Sequence, residues 1–297
     1  MKRNSVFLSL TILCIFLLPT AGNTQDFLKK FSLKFSGGMG NTAGGDFNAV
    51  PDGMNSISGD LIPLLGLTKT GNLENPKWGL DFEAEFVFSL SKNFGVGIGV
   101  GYLKRTKDSS LEMALEPLGR ATINWEPEFS LIPITLSSYY SFPISSKMNA
   151  FLKAGIGYYF VKVNLKFREE YESFFGESGW EEDEAEATDN AFGFHGGLGF
   201  EYNISGSIAL YAEGMGRYLK IKDWETEWKT TYPLGVIEGS GTVWYTEELW
   251  LPLGKYYPGL EILEQRPSGP EYRNVREAEI DFSGFSFRVG IRIRFGK

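Results

Sequence analysis

Eleven ionisable residues stand at alternating positions within apolar segments: Lys34, Asp81, Glu83, Glu85, Lys153, Glu201, Glu213, Arg217, Arg288, Arg292 and Arg294. On extended chain that spacing puts them all on one face. Five acids and six bases nearly cancel. If these faces converge away from water, their chemistry is ion pairing, because an unmatched buried charge costs roughly several kcal/mol. His195 is the single histidine and could serve as an acid or base near neutrality. Catalysis would also need a nucleophile and an orienting carboxylate within hydrogen-bond reach. The next positions on its face are Gly197 and Gly199, no serine stands two residues on, and Glu201 lies about 20 Å away along a strand rising ~3.3 Å per residue. His195 therefore reads as a hydrogen-bonded structural residue.

The elements that position these side chains are strands. Phe285, Phe287, Val289, Ile291, Ile293 and Phe295 alternate without a break with Gly284, Ser286, Arg288, Gly290, Arg292 and Arg294. An apolar face opposite an arginine-rich one suits lipid outside and a crowded, hydrogen-bonded lumen inside. Seven more segments repeat the pattern. They carry Phe31 to Phe35, Leu80 to Leu90, Val96 to Tyr102, Ile132 to Tyr140, Leu152 to Phe160, Phe192 to Tyr202 and Ile208 to Ala212. Each is close to the ~9–11 residues that a tilted strand needs to cross a bilayer. Short turns at 91–95, 142–149 and 205–207 alternate with long stretches at 40–77, 106–127, 168–190 and 222–277. Short periplasmic turns, long outer loops and an even strand count define an antiparallel transmembrane β-barrel. Eight strands are expected, or ten if residues 222–277 add a pair. A soluble eight-stranded barrel such as a lipocalin would have to expose the ionic face and fill its interior with Phe and Ile.

The start of the chain agrees. Lys2 and Arg3 precede an apolar run from Val6 to Leu18, followed by small residues at Thr20, Ala21 and Gly22. Residues 1–24 read as a cleaved secretory signal, too short to span a ~30 Å hydrocarbon core as a helix. Its removal takes away Cys14, the only cysteine, and leaves 27 basic against 37 acidic residues, a net charge of −10. Thiol chemistry is excluded, and nucleic acid is disfavoured as a partner. Residues 25–297 then form one barrel domain, with 222–277 a large outer loop or hairpin.

The seven tryptophans fall at or beyond the outer strand ends. Trp78 fits an interfacial girdle. Trp224, Trp228, Trp244, Tyr245 and Trp250 lie too far from any strand end for that role. They read first as the core of a folded cap, and as candidates for an outward binding surface. Ten carboxylates between Glu169 and Asp189 read as a solvated, mobile run. Their spacing matches no calcium loop, so no metal site is assigned and no cofactor is expected.

The segments "LIPITLSSYYSF" (Leu131 to Phe142), "NAFLKAGIGYYF" (Asn149 to Phe160), "FGFHGGLGFEYNIS" (Phe192 to Ser205) and "SGFSFRVGIRIRF" (Ser283 to Phe295) resemble small outer-membrane β-barrel proteins of the OmpA, OmpX and OmpW kind. The resemblance implies the bacterial outer membrane as location, with its lipid and the barrel assembly machinery as partners. The expected role is non-enzymatic: a salt-bridged lumen, with envelope integrity or surface recognition carried by the outer loops toward a ligand that the residues do not name. A small passive channel for ions or hydrophobic compounds is the alternative. A lipid-modifying barrel enzyme comes third.

Overall fold

The structure, a computed structural model, describes residues 29–115, 119–173 and 176–295. The segment expected to be a signal peptide, 1–24, lies outside the described residues. The chain is all-β and antiparallel, with one longer helix. No helix among the described residues is long and apolar enough to cross a membrane.

Eight strands carry the alternation read from the sequence: β1 (Phe31–Asn41), β4 (Trp78–Ser89), β5 (Phe94–Thr106), β8 (Glu128–Pro143), β9 (Met148–Ser173), β10 (Ser178–Asn203), β11 (Ile208–Tyr218) and β18 (Gly284–Arg294). Each pairs with two of the others, in the order β1, β4, β5, β8, β9, β10, β11, β18, and β18 pairs again with β1. Outward positions such as Phe287, Ile156 and Phe200 are about half-exposed, whereas Lys34, Glu85 and Lys153 on the opposite face are buried.

The described residues contain eighteen strands, not the eight or ten that the alternation predicts. Eight of the ten additional strands come from the stretches read as loops. Residues 40–77 hold β2 (Gly44–Gly45), helix α1 (Ala49–Leu65) and β3 (Thr68–Gly71), and 106–127 hold β6 (Ser109–Leu115) and β7 (Gly119–Trp125). Residues 222–277 hold β13 (Glu225–Tyr232), β14 (Gly235–Trp250), β15 (Lys255–Leu263) and β16 (Tyr272–Glu277). Two short strands, β12 (Lys220–Ile221) and β17 (Ile280–Asp281), join β2 in a small separate sheet.

In its described residues the acidic run at 168–190 is not a mobile loop. It is the far half of a 25-rung ladder between β9 and β10. Beyond the bilayer-length part, β7 joins β9 and β13 joins β10, so the upper sheet runs β3, β6, β7, β9, β10, β13, β14, with β15 and β16 both on β14.

The solvent of β9 changes along its length. Leu152, Ile156 and Phe160 point outward opposite buried Lys153, while Lys162, Asn164, Lys166 and Arg168 point outward opposite Val161, Val163, Leu165 and Phe167. The period is unchanged, but polarity reverses near residue 160. Below it the strand faces lipid over a polar interior, and above it water over an apolar interior. Phe47, Leu103, Trp125, Phe129, Leu131, Leu219, Trp224 and Phe282 complete this upper core. Helix α1 rests against β15 through Gly53, where a Cβ would strike the Pro258 carbonyl.

Candidate functional site

The ten residues of the ionic set other than Arg217 meet in two ion-pair groups inside the cycle of eight strands. In the first, Lys153 Nζ lies 2.7 Å from Glu83 Oε1 and 3.1 Å from Glu85 Oε2. Arg288 reaches Glu83, Glu213 at 2.8 Å and Asp81 at 3.5 Å. Lys34 lies 3.4 Å from Glu213, with its ammonium 4.2 Å from the ring centroid of Tyr211 and 4.5 Å from that of Phe151. Tyr139 donates a hydrogen bond to Glu85, and Ser286 one to Asp81. Nearer the end with the short turns, Arg292 at 3.1 Å and Arg294 both engage Glu201. Arg217 instead donates to the Phe282 carbonyl at 3.0 Å.

Sequence reasoning missed two buried members. Arg105 is fully enclosed and donates to the Leu80 carbonyl at 2.7 Å. Ser137 places its hydroxyl 2.9 Å from His195 Nε2. A serine thus does stand beside the histidine, two strands away rather than two residues on. Gly155 lies between them, and a Cβ there would meet His195 Nε2 at 2.8 Å. His195 Nδ1 has no hydrogen-bond partner among the described residues, so no carboxylate orients the imidazole. The void beside it measures about 30 Å³, the volume of roughly one water in the liquid.

Above this layer lies a cavity of about 390 Å³ with apolar walls. Trp224 and Trp228 line it, as does Val243 on the neighbouring strand. The other three aromatics of the outer set do not. Trp244 Nε1 donates to the Leu263 carbonyl at 3.2 Å. Tyr245 lies under the Arg276 guanidinium, 4.3 Å from its ring centroid. Trp250 stands where β14 turns toward β15, its carbonyl accepting from Leu253 and Gly254.

The cavity's remaining aromatics, Phe47, Trp125 and Phe167, come from three other parts of the chain. Trp125 is fixed by a 2.9 Å bond from Nε1 to Asn75 Oδ1, and Asn75 in turn donates to the Phe47 carbonyl. Only Val163, Leu165 and Phe167, alternating past the lipid boundary, signal this wall in the sequence.

Two polar groups mark the cavity. Asp183 accepts from Thr230 at its edge, and the buried Thr226 hydroxyl in its wall has no hydrogen-bond partner among the described residues. Glu181 and Glu169 follow Asp183 on the same face, opposite each other in the ladder. Burial, then repulsion from Asp183 and Glu169, raises the Glu181 carboxyl above its usual range. The outer face is balanced instead: Lys162 pairs with Glu186 at 2.6 Å, Lys166 with Glu182 at 3.0 Å and Arg168 with Glu182 at 3.2 Å.

Among solved structures, the chain is similar to Neisserial surface protein A at 11% identity, covering 90% of this chain and 97% of that one, with a TM-score of 0.38. It is similar to outer membrane protein OprG from Pseudomonas aeruginosa at 11% identity, covering 90% and 96%, TM-score 0.37. A major outer membrane protein from Thermus thermophilus is 12% identical, covering 89% and 99%, TM-score 0.37. No curated protein sequence matches. The family model of the outer membrane protein beta-barrel domain matches residues 10–237. That match covers more than half of the chain, which therefore belongs to the outer membrane protein beta-barrel domain family as a protein of the bacterial outer membrane.

Proposed function

We propose that this protein is a non-enzymatic, non-conducting barrel whose outer cap carries out recognition. In this reading the eight strands of the cycle cross the bilayer and residues 1–24 are a cleaved signal. Residues 25–297 form one domain, and 222–277 belong to the cap. Outer-membrane lipid surrounds the barrel, the assembly machinery inserts it, and the cap meets an extracellular ligand.

The observation that carries this reading is the buried brace of Lys34, Lys153 and Arg288 with Asp81, Glu83, Glu85 and Glu213. In an eight-stranded barrel the interior is only about wide enough for side chains to fill, and these side chains bond across it. The residues above them form an apolar core rather than a wet path. Catalysis at His195 lacks both an orienting carboxylate and room for a substrate.

The test is single-channel recording of the refolded protein in a planar bilayer, with folding verified by the gel shift between boiled and unboiled samples. A silent bilayer supports the reading. One feature favours the channel alternative: a basin of about 940 Å³ at the short-turn end, bordered by Tyr139, Phe151, Glu201, Arg292 and Arg294. Steady conductance that changes in Arg292→Ala would replace the plugged reading with that one.

A further inference from the structure

We infer that the cavity beneath the cap receives a small hydrophobic cation, an amine or quaternary ammonium on an apolar body, with its charge directed toward Asp183. The inference rests on the reading of the cap as a recognition module and names the chemical class of its ligand.

A volume of about 390 Å³ falls within the roughly 300–1,000 Å³ of small-molecule sites, which combine apolar walls with a few placed polar groups. The walls here are Phe47, Trp125, Phe167, Trp224 and Trp228, whose ring faces are electronegative and attract cations. Charge on the cavity side is one-signed. Glu184 and Lys229, which also border the cavity, are exposed partners of opposite charge in the β10–β13 ladder. That leaves Asp183 uncompensated, with Glu181 and Glu169 beyond it, while the nearby Lys162, Lys166 and Arg168 are engaged by carboxylates on the outer face.

Thr226 supplies a second, independent indication. Its hydroxyl is buried in the cavity wall without a partner among the described residues, a costly arrangement unless something in the cavity bonds it. Thr226 lies on the same strand as Trp228, and Asp183 on the adjoining β10, so one ligand spanning the cavity can meet the carboxylate, the hydroxyl and the indole together. An anionic amphiphile would face the Asp183 carboxylate, with Glu181 and Glu169 adding repulsion beyond it, and a neutral one would leave Asp183 unmatched.

The test uses the full refolded chain in lipid nanodiscs, with empty nanodiscs correcting for partition of the probe into lipid. Phenylpropyltrimethylammonium, its neutral carbon isostere and phenylpropylsulfonate are titrated by calorimetry and tryptophan fluorescence. The expected result is saturable binding of the ammonium about tenfold or more tighter than the neutral isostere, with the sulfonate weakest. Asp183→Asn should reduce ammonium affinity to that of the isostere while leaving isostere binding intact, which also reports a folded cavity. Trp228→Ala should weaken both.

Ammonium binding unaffected by Asp183→Asn, or sulfonate binding as tight as ammonium, would overturn the cation assignment. The absence of saturable binding by any of the three would remove the cavity as a site for this class. Neither outcome touches the plugged-barrel reading, which fails only if the folded protein conducts.

Discussion

Lys153 and Glu83 bond at 2.7 Å from strands that share no ladder. β5 and β8 stand between β4 and β9 in the sheet, so the bond crosses the interior rather than running along the wall. Both side chains are nearly excluded from solvent, 2% and 6% exposed. Removing one partner of a buried pair leaves a charge that water cannot reach, at a cost of about 3–5 kcal/mol.

Lys153→Met should therefore lower the urea midpoint of the folded barrel by an amount equivalent to about 3–5 kcal/mol. Lys162→Met, which breaks a half-exposed pair with Glu186, should cost ~1 kcal/mol or less. Equal midpoints for the two variants would show that the brace does not hold the barrel together.

Gly155 gives a second prediction, because its missing side chain is what lets His195 reach Ser137. A Cβ there would also collide with the Leu136 carbonyl, which the ladder holds in place. Gly155→Ala should destabilise the barrel by roughly 1–3 kcal/mol, seen as a lower temperature for the gel-shift transition. Ser137→Ala removes one neutral bond and should cost about 1 kcal/mol. A Gly155→Ala protein as heat-resistant as the parent would mean that this close approach is not maintained.

The parts of the fold legible in sequence were those where lipid sharpens the pattern. Phe285, Phe287 and Val289 alternate with Ser286 and Arg288 because one face meets hydrocarbon and the other a charged interior. The ionic set was legible for the same reason, and ten of its eleven members do pair. Above residue 160 the same period persists with reversed polarity. Val163 and Phe167 then look like more membrane strand, or like nothing once carboxylates crowd in. Trp224 was legible as an aromatic of a cap core, but the neighbours that enclose it were not, since Phe47, Trp125 and Phe282 come from distant segments. Ser137 is a small polar residue at an inward position and carried no signal until Gly155 and His195 were placed beside it.

The reversed face predicts that the acidic hairpin is a folded element. Trypsin added to intact cells or nanodiscs should spare Lys162, Lys166 and Arg168, because their backbones lie in a ladder with a neighbour on each side over part of its length. Phe167→Ala removes a large, half-buried side chain packed against the upper core and should cost roughly 1–3 kcal/mol locally, opening cleavage at those sites while lower β9 stays protected. Rapid cleavage of the parent protein at Arg168 would restore the mobile-loop expectation.

Helix α1 is held to β15 by a titratable clasp. Asp60 accepts from Lys255 Nζ at 2.8 Å and from the Tyr257 hydroxyl at 2.6 Å. The Lys255 bond, then the Tyr257 bond, holds the Asp60 carboxyl below its ordinary value of 3.8. Burial, then the bond to Asp60, pushes the Tyr257 phenol up to about 12. A carboxyl depressed in the folded state stabilises it fully above 3.8 and loses that contribution as pH falls through the lower folded value. The phenol works in the opposite sense: its contribution is complete below 10.0 and disappears as pH rises through about 12. Between those limits the clasp is closed. Hydrogen exchange of residues 49–65, corrected for intrinsic rates, should show protection at about pH 7 that falls by about pH 3. Asp60→Asn should exchange fast at both values, with no such dependence. If it matches the parent at neutral pH, the packing of Gly53 against Pro258, and not this clasp, holds the helix to the cap.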